Sequence, residues 1–205
     1  MNETLPLQVR VVDSLQEFQA MAPKWQALLR TSESNSLFLT WEWLYHWAKQ
    51  YLADHRLWIL VGTDPHQNLF GIAPLYIRRM RGRPWNGCRE VAFLGSEGVG
   101  STYLDVLACR AYKEAVLACL YEYLFGQASN EWDIITLGAL PAESSTLDMM
   151  HARLDEAGKV TAIVKQTCCP QMALPLSVDA YWRTLRPSLR YTLQRKRKYL
   201  ERQGT

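Results

Sequence analysis

The sequence predicts an α/β (α+β) fold, a mixed and mostly antiparallel sheet with helices on both faces. Apolar residues recur at helical spacing through the first fifty positions, strand-length apolar runs separated by short turns occupy the middle, and helices alternate with strands after Ala111. At 205 residues and 48% apolar content the chain can close a core without covalent staples, because a domain of this size hides about 70% of the surface its unfolded form exposes.

Leu7 to Val12 reads as a short strand. Ser14, three residues ahead of Glu17, offers a capping box for a helix bearing Leu15 and Phe18. Pro23 cannot sit inside a helix, so the helical stretch breaks there and restarts, burying Trp25, Leu28 and Leu29. Thr31 to Ser36 is a polar connector, and Thr40 then caps a helix with aromatic residues around most of its circumference: Trp41, Trp43, Tyr45 and Trp47. Such a helix is buried on more than one side, or packs on one side and offers another to a ligand.

Leu57 to Val61 is continuously apolar, as for a central strand covered on both faces. The turn at residues 64–68 leads to a second strand, Leu69 to Ile77, in which Pro74 removes a ladder donor and predicts a bulge or an edge position. Arg78, Arg79, Arg81 and Arg83 follow, before a third strand from Glu90 to Leu94, which completes an antiparallel meander. A glycine-rich loop, Gly95 to Ser101, precedes a short strand at Tyr103 to Leu107. Ala111 to Gln127 is an amphipathic helix and Trp132 to Leu137 a strand. Ser144 or Ser145 caps a helix that ends at Gly158, and Val160 to Lys165 follows as a last strand.

Charge divides the chain. Residues 181–205 carry eight basic side chains against Glu201, a net +7, whereas residues 1–180 carry 15 basic and 19 acidic side chains, a net −4. In the basic segment Trp182, Leu185, Leu189, Leu193 and Leu200 fall on one helical face, Pro187 suits a first turn, and Gly204 ends the helix. Five scattered cysteines (Cys88, Cys109, Cys119, Cys168, Cys169) read as reduced core residues of a cytoplasmic protein, with a redox or metal role for the adjacent pair as the lesser alternative. The N-terminus has no signal-peptide pattern, and no stretch approaches the roughly 20 apolar residues of a membrane span. The four histidines show no metal-ligand spacing, and neither a nucleophile elbow nor a phosphate-binding Walker loop occurs.

In order along the chain stand Trp25-Gln-Ala-Leu28, Phe38 to Leu44 with Trp47, Gly71-Ile-Ala-Pro-Leu75 followed by arginines, Phe93-Leu-Gly95, Tyr103-Leu-Asp105, and Leu185-Arg-Pro-Ser-Leu-Arg190 leading into Arg195-Lys-Arg197. With these motifs the chain resembles the GNAT acyltransferase superfamily, in particular its double-domain branch of CelD-like cellulose-biosynthesis proteins and FemAB-like peptidyl transferases. The resemblance implies an N-terminal GNAT-like domain over residues 1–177, with residues 178–205 as the leading basic helix of a second GNAT domain that is otherwise missing. It also implies acyl-CoA (acetyl-CoA) as cofactor of the full-length protein and none for this fragment, which is then inactive alone. A small-molecule or polysaccharide-precursor substrate is implied as well.

Its phosphate-binding loop places backbone amides between a strand and a helix. Gly95, Gly98 and Gly100 have the spacing, but Glu97 puts an anion where phosphate would lie; the loop reads as a turn ahead of a cofactor cradle built on Gly98 and Gly100. Asp105 is the candidate base for the attacking amine, although a strand-end aspartate bonding its own loop is the commoner case. The candidate substrate wall comprises Trp41, Trp43, Trp47 and Tyr103, with Arg190, Arg195 and Arg197 as forks for an anionic group. The same arginines read equally well as a solvated helix face. Two further readings stay open: a nucleic-acid or anionic-surface module using the basic helix, with nucleic acid the less expected partner, and a structural pairing domain.

Overall fold

The computed structural model describes residues 6–165, 168–170 and 172–204. The chain forms two compact units, one running to Ile163 and the other beginning at Val164.

The first unit is a mixed α+β structure. It opens with β1 (Gln8–Val12), α1 (Leu15–Ala20) and α2 (Ala22–Thr31). The Ser14 side chain accepts from the Glu17 amide, but the Glu17 carboxylate pairs with Arg10, so only half of the capping box closes. Pro23 lies in the first turn of α2, where its missing N–H costs nothing. A short 3-10 turn, Leu37–Leu39, leads into α3 (Trp41–Tyr51), capped by Thr40.

Two strand splits shape the sheets. The apolar run expected as one strand from Leu57 to Val61 divides at Trp58 into β2 (Arg56–Leu57) and β3 (Ile59–Thr63). Pro74 divides the next run into β4 (Leu69–Ala73) and β5 (Leu75–Arg79). Since Pro74 has no N–H, the β3–β4 ladder cannot continue through it, and the Trp58 amide donates instead to the Leu75 carbonyl at 3.1 Å. One sheet therefore has the order β1-β3-β4-β7 and the other β2-β5-β6-β8, where β6 is Arg89–Phe93, β7 Leu107–Ala108 and β8 Ile134–Thr136. All pairings are antiparallel except β6 with β8.

α4 (Lys113–Glu122), extended by a π turn to Gln127, crosses between β6 and β8. It approaches β4 closely because Gly71 lacks a Cβ, which would collide with the Val116 side chain. α5 (Ser145–Glu156) follows β8, capped by Ser144, and Gly158 takes the left-handed conformation just beyond it. Trp25, Trp58, Tyr76, Phe18 and Phe93 are the largest fully buried side chains.

Three expectations are corrected. Of the Tyr103–Leu107 stretch only Leu107 is strand, as the first residue of β7, because Tyr103 takes a positive φ of 56° that ends extended pairing. Val160 to Lys165 forms no strand; Val160, Ile163 and Val164 are exposed. Cys168 and Cys169 are exposed and the other three cysteines partly buried, so none sits deep in the core.

The second unit holds α6 (Val178–Thr184) and α7 (Pro187–Arg202), two helices where one continuous face was expected, parted at the extended Leu185 ahead of Pro187. Among the described residues no helix is long and apolar enough to cross a membrane.

Candidate functional site

The aromatic helix α3 is bolted to the glycine-rich loop. The Trp43 indole donates to Ser101 Oγ at 3.1 Å and the Trp47 indole to the Glu97 carbonyl at 2.8 Å, so the middle and the end of the loop hang on one helix face. Their spacing of four residues puts the two rings on that same face. Trp41 turns elsewhere: its indole donates to the Phe18 carbonyl at 2.9 Å, and its ring stacks on Tyr45 at 4.6 Å. Trp47 is 4% exposed and its ring stacks on Tyr51, which lies over Gly98. The proposed wall is thus brought together at Trp43 and Trp47, with Tyr51 as a third member that the sequence reading did not single out.

Beside this loop lies a charge cluster. Arg78 and Glu90 are cross-strand partners on β5 and β6, and Arg78 Nε meets Glu90 Oε2 at 2.6 Å. The other end of the same guanidinium pairs with the Glu97 carboxylate. Glu90 is 3% exposed, and a buried carboxylate of that kind needs a full positive partner. His55 stands close by, its ring 5.7 Å from that of Tyr76. Burial first, and the Arg78 guanidinium second, hold its imidazole below the usual histidine range, which favours the neutral form. Burial pushes the Tyr76 phenol up.

Asp105 is the centre of a separate knot. It is 2% exposed, and its carboxylate accepts from Ser34 Oγ and Ser144 Oγ, each at 2.8 Å, and from the Val106 amide at 2.7 Å. Three donors fill most of a carboxylate's acceptor capacity and fix its orientation. The connector before α3 supplies alternate serines to this segment: Ser36 Oγ donates to the Tyr103 carbonyl at 3.2 Å, and Ser32 Oγ accepts from the Ala108 amide at 3.3 Å. The period-two spacing of Ser32, Ser34 and Ser36 was a readable signal of an extended pairing, and the sequence reading passed over it as a polar linker. Ser144 was recognised only as a helix cap.

Between β6 and β8 the chain packs its own residues. β6 and β8 pair from Glu90 and Ile134 as far as Ala92 and Thr136, and Leu104–Val106 is buried, with the Leu104 amide donating to the Ala139 carbonyl at 3.1 Å. The cavity below, lined by Ala73, Leu75, Phe93, Val106, Leu137 and Met150, measures about 20 Å³, room for about one water. Gly98 and Gly100 are exposed with positive φ, but the loop between them and Gly95 presents the Glu97 carboxylate, which is already paired. Among the described residues no group of histidine, cysteine and carboxylate side chains could hold a metal ion.

The arginines of the second unit have distinct surroundings. Arg190 is half-buried, and its guanidinium donates to the Leu185 carbonyl at 3.1 Å and the Arg183 carbonyl at 3.4 Å, closing the end of α6. Arg197 pairs with Glu201 one turn on, at 2.8 Å. Arg195 is exposed.

No family model and no curated protein matches the chain. Solved structures do share distant likeness. A ribosomal-protein-alanine N-acetyltransferase from Brucella melitensis biovar Abortus 2308 is 14% identical, with 82% of this chain and 100% of that one covered at a TM-score of 0.45. An aminoglycoside antibiotic 6'-N-acetyltransferase from Acinetobacter baumannii is 9% identical, with coverage of 82% and 100% and a TM-score of 0.44. Glucosamine-6-phosphate N-acetyltransferase from Arabidopsis thaliana is 10% identical, with coverage of 80% and 98% and a TM-score of 0.43. Likeness at this level says nothing of substrate or of chemistry.

Proposed function

We propose that this chain is the N-terminal, substrate-side half of a cytoplasmic GNAT-type acyltransferase. It acts on an amine or hydroxyl of a polysaccharide or cell-envelope precursor, and a second GNAT-like lobe of the same polypeptide carries the acyl-CoA. The observation that carries this reading is the closed glycine loop. A strand and a glycine-rich loop precede α4, although β7 intervenes where the resemblance implies that the helix should follow directly; Trp43 and Trp47 bond to the loop, Glu97 is paired within it, and Leu104–Val106 is buried beyond it. A unit so closed suits a platform that positions an acceptor, because orientation alone lowers the barrier to direct attack on a thioester.

The second unit supports the same reading. Neither α6 nor α7 has a buried residue, and Leu189, Tyr191, Tyr199 and Leu200 are exposed beside the basic side chains. Four large side chains left exposed on one helix suit the start of a further lobe.

The test is calorimetric titration of acetyl-CoA into this chain and into a polypeptide continued through its C-terminal lobe. The expected result is heat of binding for the longer polypeptide and none for the shorter. Absence of binding to the longer one overturns the transferase reading, and tight binding to the shorter one overturns the assignment of the cofactor to the other lobe.

A specific observation favours a second reading, anionic-surface binding through α7. Arg195, Lys196 and Lys198 are exposed and enter no ion pair among the described residues. Retention of RNA on filters that falls steeply with salt would favour it, and retention indifferent to salt removes it.

A further inference from the structure

The turn between β5 and β6 uses none of its side chains for the site described above. Arg81 to Gly87 are seven consecutive exposed residues, with exposed Arg79 just before them. The tip is nevertheless ordered: the Met80 amide donates to the Cys88 carbonyl at 2.8 Å, the Gly87 amide to the Met80 carbonyl at 2.9 Å, and the Cys88 amide to the Trp85 carbonyl at 3.1 Å. It also stands clear of its surroundings, since a Cβ added at Gly82 or at Gly87 would meet no heavy atom within 4 Å.

From Arg79 to Cys88 the tip holds three arginines and no acid. Arg81 lies 3.7 Å from Asp54, but both side chains are more than four-fifths exposed, so the pair is weak and the guanidinium stays available. Arg79 and Arg83 enter no ion pair among the described residues, although Asp133 lies within electrostatic reach of Arg79. Trp85 is 53% exposed, whereas Trp25, Trp47 and Trp58 are almost fully buried. An indole left in water on a rigid turn costs solvation, and arginine forks beside it select a phosphate-bearing partner.

We propose that this hairpin tip docks on an anionic phospholipid surface, with Trp85 at the headgroup level and Arg79, Arg81 and Arg83 on lipid phosphates. Shape separates this from a single-stranded nucleic acid. Nucleic-acid binders present a basic groove with several stacking rings, whereas this element is a protruding turn with one ring. Tryptophan settles at the membrane–water interface, and each basic residue near an anionic bilayer strengthens attachment. The inference is independent of the proposed acyl transfer and stands or falls separately.

The experiment is co-sedimentation of this chain with vesicles of phosphatidylglycerol and phosphatidylcholine, against phosphatidylcholine alone. Binding to the anionic vesicles only is expected, with partitioning weakened about twenty-five-fold in the Arg81→Ala/Arg83→Ala double variant, at about fivefold for each arginine. Brominated lipid should quench part of the tryptophan emission, and that part should vanish in Trp85→Phe. Because all three positions are solvent-exposed, thermal melts of the variants should match the parent. Absence of vesicle binding, binding that neither variant changes, or tip-dependent capture of single-stranded RNA without vesicle binding overturns the proposal.

Discussion

The Trp47 indole N–H points at the Glu97 carbonyl, 2.8 Å away, and ties the middle of α3 to the middle of the glycine loop. Trp47→Phe keeps most of the ring but leaves that carbonyl without its donor. The expected loss is about 1 kcal/mol, at the low end of the range for an unsatisfied acceptor because this one is only partly buried. Trp47→Ala adds a cavity and should cost about 3–5 kcal/mol. Urea titrations should show both as shifts of the midpoint with little change of slope. A Phe variant as stable as the parent would mean that the loop is held by something else.

Much of this arrangement was legible beforehand, and the reason is local. The Thr40 cap and the Pro23 restart each follow from one residue's own hydrogen-bonding capacity, and the structure has both, whereas Pro74, expected to bulge its strand or place it at an edge, splits it in two. What escaped is long-range. That Ser34 and Ser144 would meet on Asp105 depends on contacts 71 and 39 residues apart, and that Glu90 would face Arg78 depends on strand register. Val160 to Lys165 shows the opposite failure: an apolar run has strand propensity, but propensity without a pairing partner does not make a strand.

Gly98 and Gly100 offer a controlled comparison within the loop. Both have positive φ, 77° and 64°, so alanine at either strains the backbone by about 1–2 kcal/mol. At Gly100 the new Cβ meets open space, while at Gly98 it would come within 2.8 Å of the Tyr51 ring. Gly98→Ala should therefore be the more destabilising of the two. Combining it with Tyr51→Ala should recover the difference in a double-mutant cycle. Equal stability of the two single variants would place Tyr51 elsewhere.

Asp105 organises three segments, and its neutral isostere cannot. Asn keeps one acceptor oxygen, so its amide N–H₂ faces either the Ser34 and Ser144 hydroxyls that donate to Oδ2 or the Val106 amide that donates to Oδ1. Asp105→Asn should cost about 3 kcal/mol, with Ser34→Ala and Ser144→Ala nearer 1 kcal/mol each. Stability curves for the three variants check this. In a longer polypeptide with acyltransferase activity, an Asp105→Asn variant that keeps its stability but loses turnover would assign the carboxylate to proton transfer instead.

Arg89 and Asp133 predict how the protein responds to acid. The Arg89 guanidinium forks onto both carboxylate oxygens at 3.0 and 3.1 Å, and its backbone amide adds a bond at 2.8 Å. These donors hold the Asp133 carboxyl at about 2, well below its ordinary 3.8. A carboxylate whose value falls on folding contributes stability that is fully present above its unfolded value and is lost as pH drops through the folded one. The contribution should therefore be constant above about pH 4 and decay between there and about pH 2. The gap in urea midpoint between parent and Asp133→Asn should narrow across that window. Because the pair is solvent-exposed, the gap should also shrink in high salt. A gap unchanged from pH 5 to pH 2 would show that this carboxyl titrates alike in the folded and unfolded chain, and that Arg89 holds it only in geometry.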